Sequence, residues 1–159
     1  MNGRVRVFLL WASLALLGGC GTVDAVKGLL GFGPPHAALR TLRVSADAGA
    51  NQGSATLLDV VAIHDAAALA KLPGTGPEWF RQRAALQKAL ATGIEVTSLQ
   101  VPAAYPAFEV DLPAGTRKAV AVIAFANYVN EAGWPAITLT PYKHAALRLQ
   151  PDGIAVSGH

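Results

Sequence analysis

"LLDVVAI", residues 57–63, is apolar except for Asp59. A short, nearly continuous apolar run of this kind reads as a strand covered on both faces. Asp59 is explained most simply by an edge or exposed position. A second run, "KAVAVIAFA" at residues 118–126, is the most apolar of the chain and the expected centre of a sheet.

Most of those segments repeat with period two, the strand period. Leu42, Val44 and Ala46 alternate with Arg43 and Ser45, and residues 94–101 are strand-like without a clear face. Phe108, Val110 and Leu112 alternate with Glu109 and Asp111. Ile137 and Leu139 alternate with Thr138 and Thr140, and Ala145, Leu147 and Leu149 with Arg148 and Gln150. Ile154 and Val156 make a last short strand, joined by a hairpin signal at Asp152–Gly153. "PAG" at 113–115 and "AGWP" at 132–135 mark further turns. About eight short strands with such punctuation predict a mainly β fold, a two-sheet antiparallel β-sandwich.

One stretch, about residues 65–92, is helical. Asp65 can cap a first turn in "AAALAKL", and "PGTGP" then interrupts. Pro77 suits the first position of a second helix, with Glu78 near its positive end and Lys88 near its negative end. Trp79, Leu86 and Leu90 recur at helical spacing, with Ala89 on the same face, and Gly93 can close the helix. The pair Trp79–Phe80 reads as core rather than as a ligand cage.

The N-terminus carries an export signal. Arg4 and Arg6 precede "VFLLWASLALL", residues 7–17. That apolar run is about 11 residues long, where a membrane-spanning helix needs about 20. Then comes "LGGC", residues 17–20, with the only cysteine of the chain. A leucine, two small residues and a cysteine form the pattern of a bacterial lipobox. It implies that residues 1–19 are removed and that Cys20 carries a covalent lipid. Two acyl chains suffice for stable anchoring. Gly21, rather than an aspartate, favours delivery to the outer membrane. Residues 20–38 then read as the lipidated cysteine and a glycine-rich tether; Val23, Val26, Leu29, Leu30 and Phe32 also allow one short helix packed on the domain or the membrane surface. The β-sandwich is expected over residues 39–159.

Removing the signal leaves about 140 residues, enough for one domain with a real core. It also takes Arg4 and Arg6 from the 13 basic residues, which leaves them nearly balanced by 10 acidic ones. No basic cluster with interleaved aromatics points to nucleic acid. A lipidated Cys20 can be neither nucleophile nor metal ligand, and no disulfide is possible. His36, His64, His144 and His159 form no paired metal motif, and no nucleophile elbow or phosphate loop is present. His64–Asp65 is the one pair that suggests general-base work, and a strand-end histidine beside a helix cap explains it more simply. Nothing calls for a cofactor or a metal, and no enzymatic activity is expected. The remaining candidate is "DAGANQGSA", residues 47–55, a small polar connection between the first two strands. It is either a working surface or a floppy connection.

The order of these features resembles the outer-membrane lipoproteins of the type VI secretion system, the TssJ (SciN/VasD) family. "LRVSADAGAN" resembles that family's first strand and polar loop, and "LLDVVAIHDAAAL" its second strand and the helix start after it. "EWF" at 78–80 lies where the family has an aromatic pair. "VDLPAGTRKAVAVIAFANY" resembles a further strand, and Trp134 stands where a tryptophan precedes the last strands. Asp59 and Ala62 depart from the basic and polar residues usual in the second strand. The resemblance implies a transthyretin-like β-sandwich with an added helical element. It implies a periplasm-facing outer-membrane lipoprotein that docks the secretion machine's trans-envelope complex. The implied partner is the periplasmic C-terminal region of a TssM-like inner-membrane protein. The implied partner-binding loop is Ala48, Gly49, Ala50, Asn51, Gln52, Gly53 and Ser54. A second reading is a periplasmic carrier or pilotin-like chaperone, holding a peptide or small ligand in a groove between the Trp79 helix and the sheet. A third is a hydrolase using His64 and Asp65.

Overall fold

A computed structural model describes residues 36–130 and 134–159. The expected signal segment, Cys20 and most of the expected tether lie outside the described residues. Among the described residues the strands are β1 (Thr41–Ala46), β2 (Thr56–Ile63), β3 (Ile94–Val101), β4 (Phe108–Glu109), β5 (Ala121–Asn127), β6 (Ile137–Thr138), β7 (His144–Gln150) and β8 (Gly153–Gly158). Two helices, α1 (Ala66–Leu69) and α2 (Gly76–Ala89), lie between β2 and β3. The strands form two four-stranded sheets, β4-β1-β7-β8 and β3-β2-β5-β6. The expected mainly β sandwich with a helical insertion is the fold observed.

β2 and β5 are the inner strands of one sheet, paired from Leu57↔Asn127 to Ile63↔Ala121. Their residues divide by parity. Leu58, Val60 and Ala62, with Val122, Ala124 and Ala126, pack in one cluster with Leu42, Val44, Leu147 and Leu149 of the other sheet. Val61, Ile63 and Phe125 pack in a second cluster with Trp79 and Leu90 of the helical segment. A sheet covers one face and a helix the other, so both parities had to be apolar. The one charged residue in β2 is Asp59, which is 1% exposed. The expected edge or exposed position for it is therefore wrong. It sits in an inner strand on the helix side, where Trp79 and Arg83 reach it.

One pairing departs from the antiparallel expectation. β1 runs parallel to β7, from Thr41↔His144 to Ala46↔Leu149. A parallel pair needs a long crossover, and the whole second sheet with its helices lies between these two strands. Two strands are shorter than the alternation predicted. After β4, Val110 still donates to the Leu42 carbonyl at 2.8 Å, but Pro113 then leads into a 3-10 turn at Ala114–Lys118. After β6, the Thr140 hydroxyl accepts the Val122 N–H at 3.0 Å, taking the place of a ladder carbonyl. The final hairpin turns one residue earlier than expected. Gln150 faces Gly153, so the two-residue loop is Pro151–Asp152. Gly153 serves close approach instead: a Cβ there would lie 2.5 Å from the Trp134 ring.

Asp65 caps α1 as expected, its Oδ1 accepting the Ala68 N–H at 2.6 Å. α2 is capped by Thr75, whose hydroxyl accepts from the Glu78 N–H at 3.5 Å and donates to the Glu78 carboxylate at 3.1 Å. Pro77 is thus the second helical residue rather than the first. The inward face runs through Trp79, Arg83, Leu86 and Leu90, while Ala89 is exposed. At the start of α2 a Cβ on Gly76 would fall on the carbonyl of Ala126, in the backbone of β5. Gly76→Ala has no side chain to rotate away, so either the helix or the strand must move. We expect a loss of about 3 kcal/mol, at the upper end for overpacking. Urea unfolding monitored by tryptophan fluorescence reads it; a change below half that size contradicts the close approach.

Before β1, Ala37 is buried and its N–H donates to the Ala119 carbonyl at 2.7 Å. The Ala38 N–H donates to Thr140 at 3.1 Å. The domain therefore holds the chain from Ala37 onward. Among the described residues no helix is long and apolar enough to cross a membrane.

Candidate functional site

The connection between β1 and β2 is an ordered turn. Asn51, Gln52 and Gly53 follow one another with φ of 48°, 57° and 78°. A left-handed residue with a Cβ costs about 1–2 kcal/mol, so two in succession need fixed partners. Asn51 supplies them. Its Oδ1 accepts the Val129 N–H at 2.6 Å, and its amide donates to the carbonyls of Ala55 and Asn127, each at 3.4 Å. Ala50 and Asn51 are buried, whereas Ala48, Gly49, Gln52, Gly53 and Ser54 are exposed. The seven expected loop residues thus divide into a two-residue root and a five-residue surface.

Neighbouring loops brace this turn. The Ala104 N–H donates to the Asp47 carbonyl and the Ala46 N–H to the Tyr105 carbonyl, both at 3.0 Å. Asp47 also accepts from Arg148 Nε at 2.7 Å. On the other side the Tyr128 hydroxyl donates to the Gly153 carbonyl at 2.6 Å and lies 3.1 Å from that of Gln150. The rings of Tyr128 and Trp134 lie 6.4 Å apart. Four connections, β1–β2, β3–β4, β5–β6 and β7–β8, therefore meet at one end of the sandwich.

Burial pushes the Tyr128 phenol up to about 12, and the negative charge of Asp47 adds to the rise. The neutral phenol is the form the fold favours. Its contribution is full below the ordinary phenol value of about 10 and is lost as pH rises through about 12. The denaturation midpoint is expected to fall over that window in the native chain. In Tyr128→Phe, which loses about 1 kcal/mol at neutral pH, that component of the fall is absent. Equal alkaline slopes in the two chains contradict the assignment.

This end also carries three exposed large apolar side chains. Leu57 is 40% exposed, Tyr105 43% and Val129 55%. Leu57 is placed there by its register opposite Asn127 and Gln100. Tyr105 stands with its ring edge-on to Phe108 at 5.4 Å. Leu57 is fixed by its strand, Tyr105 by the bond from the Ala46 N–H to its carbonyl, and Val129 by the Asn51 side chain. Sequence reading identified the polar turn but not these three residues. Their exposure follows from how the loops meet, which no local pattern encodes.

The other candidate residues fall elsewhere. Cys20 lies outside the described residues. His64 is half-buried, with Nε2 3.7 Å from Glu95 Oε2, and the Asp65 carboxylate is engaged in capping α1. The pair is thus a histidine at the end of β2 beside a helix cap, the simpler of the two readings. No group of three or more His, Cys, Asp or Glu residues among the described residues could hold a metal ion. The groove expected between the Trp79 helix and the sheet is filled. Trp79 is fully buried and stacked on Phe125 at 4.8 Å, and its indole N–H donates to Asp59 at 2.8 Å. Arg83 Nη1 lies 3.4 Å from the same carboxylate.

No family model and no curated protein matches the sequence. In structure, the chain is similar to the type VI secretion lipoprotein TssJ1 from Pseudomonas aeruginosa, with a TM-score of 0.56 at 14% identity over 75% of this chain and 94% of that one. It is also similar to Lip of Serratia marcescens, a membrane-bound component of the type VI secretion system, with a TM-score of 0.52 at 11% identity over 75% and 96%. The eight-stranded sandwich and its helical insertion are thus the fold of these type VI secretion lipoproteins.

Proposed function

We propose that this chain is an outer-membrane-anchored lipoprotein of a type VI secretion membrane complex. It takes no part in catalysis and docks a periplasmic partner. The observation that carries this reading is the loop end: a rigid polar turn beside exposed Leu57, Tyr105 and Val129, on the fold of type VI secretion lipoproteins. The lipobox pattern around Cys20 supplies the anchor. The chain comes into the domain at residues 36–40, next to the start of β1, and the turn follows the end of β1. Six strand residues set the two about 20 Å apart. The point where the chain enters the domain and the turn thus lie at opposite ends of the sandwich. The partner that fits is the periplasmic C-terminal region of a TssM-like inner-membrane protein.

A photo-crosslinking residue at Gln52 is expected to capture that partner in cells, and one at Arg81 on the exposed side of α2 is not. Equal capture from both positions contradicts the docking surface. Cys20→Ser is expected to leave the domain folded and to abolish fractionation with the outer membrane. A Cys20→Ser chain that still fractionates there and supports secretion contradicts the anchor.

A further inference from the structure

The opposite end of the sandwich has a different character. Backbone bonds tie residues 37–41 between two other segments, from Ala37 to Ala119, Ala38 to Thr140, and Arg40 and Thr41 to Lys143. This arrangement collects Arg40, Arg117, Lys118 and Lys143 around the place where the chain joins the domain. All four are exposed. None forms an ion pair with another described residue. His144 and His159 stand beside them, with ring centroids 5.2 Å apart, and His144 Nδ1 is 2.9 Å from the Thr41 hydroxyl. An open groove of about 800 Å³ runs along Leu39 and Arg40 to Thr116 and Arg117, and its carboxylates are Glu109 and Asp111. Glu95 lies against Gly115 on the far side of the Ala114–Lys118 turn, so four fixed cations stand with three carboxylates here. At the loop end the acidic Asp47 and Asp152 stand with one cation, Arg148, which Asp47 already engages.

We infer that this basic rim is a membrane-contact surface that rests on anionic phospholipid headgroups. The inference builds on the lipid-anchored reading above. Sixteen peptide steps separate Cys20 from His36 and span at most about 55 Å. The rim surrounds the segment at residues 36–40 through which the chain that follows Cys20 enters the domain. Lysine and arginine near an anionic bilayer gain from its surface potential, each multiplying the partition by about fivefold. With the anchor providing attachment, the rim provides orientation. It turns the domain so that the β1–β2 turn faces away from the lipid.

The test uses residues 20–159 with Cys20→Ser, which keeps both apolar clusters and carries no acyl chain. It is floated with vesicles of phosphatidylcholine alone and with vesicles containing about one-third phosphatidylglycerol. The chain is expected to float with the anionic vesicles, to stay behind with the neutral ones, and to be released by raised salt. Arg117→Gln with Lys118→Gln is expected to lower the partition about twenty-five-fold. The same charge change at Arg81→Gln with Lys88→Gln is expected to leave it unchanged, with circular dichroism confirming the fold of each. Equal flotation on both vesicles, or equal loss in both paired variants, overturns the inference. So does a rim variant that keeps lipid binding and loses the protein partner. The readout needs no acylation, so failure of the anchor, read as an unmodified Cys20 by mass spectrometry of the membrane fraction, stays separate from failure of the rim.

Discussion

Trp79→Ala is expected to be the most destabilising single truncation on the helical side of the sheet, at about 3–5 kcal/mol. The side chain is fully buried, stacked on Phe125 at an interplanar angle of 10°, and bonded through its indole N–H to Asp59. Removing it leaves a cavity and takes the closest donor from a buried carboxylate. Arg83 remains, but its side chain is 36% exposed and it lies at 3.4 Å. Two further variants separate packing from polarity. Trp79→Phe keeps an aromatic on Phe125 and loses only the N–H, for about 1–3 kcal/mol, because the buried carboxylate is left with the longer contact to Arg83 alone. Adding Asp59→Leu to Trp79→Phe removes both partners together, and the double variant is expected to be more stable than the sum of the two losses. Urea midpoints with unchanged slope check all three. An unaltered midpoint in Trp79→Phe contradicts the role given to the indole–carboxylate bond.

Asn51→Ala is expected to have the largest effect at the docking end. The alanine must hold φ of 48°, which costs about 1 kcal/mol more than asparagine there. The Val129 N–H also loses its 2.6 Å acceptor. Stability is expected to fall by about 2 kcal/mol and partner affinity by at least about tenfold, because the five exposed loop residues lose their fixed root. Asn51→Gly relieves the backbone but not the missing bonds, so it recovers stability more than affinity. Asn51→Asp keeps an acceptor for Val129 and turns its second oxygen toward the carbonyls of Ala55 and Asn127, which repel it. It is expected to bind no better than Asn51→Ala. Native affinity in Asn51→Ala, measured by calorimetry on a folded chain, contradicts the rooted turn.

Much of the fold was legible because burial on two faces leaves a local trace. β2 and β5 carry apolar residues at both parities, Asp59 apart, as strands with a layer on each side require. The caps were legible too, since Asp65 acts within its own turn. What escaped depended on distant partners. Asp59 looked exposed because a carboxylate in an apolar run says nothing of Trp79 and Arg83, which lie 20 and 24 positions further along and arrive only when α2 folds over the sheet. The hairpin at residues 150–153 turned one position early because Gly153 is needed for room against Trp134. Of the docking end, sequence composition identified the turn at 47–55 but left open whether it is ordered. The answer lay in Asn51 reaching Val129, a contact across 78 positions. Leu57, Tyr105 and Val129 are ordinary apolar residues in sequence, and only the meeting of four loops leaves them uncovered.

Titration of the folded domain with the periplasmic C-terminal region of the proposed TssM-like partner tests the central claim most directly. The account predicts saturable one-to-one binding in the micromolar range or tighter. It also predicts that shortening the turn between Ala48 and Ser54 weakens binding by at least about tenfold in a chain that circular dichroism shows to be folded. No binding at tens of micromolar, or unchanged binding by the shortened chain, contradicts it.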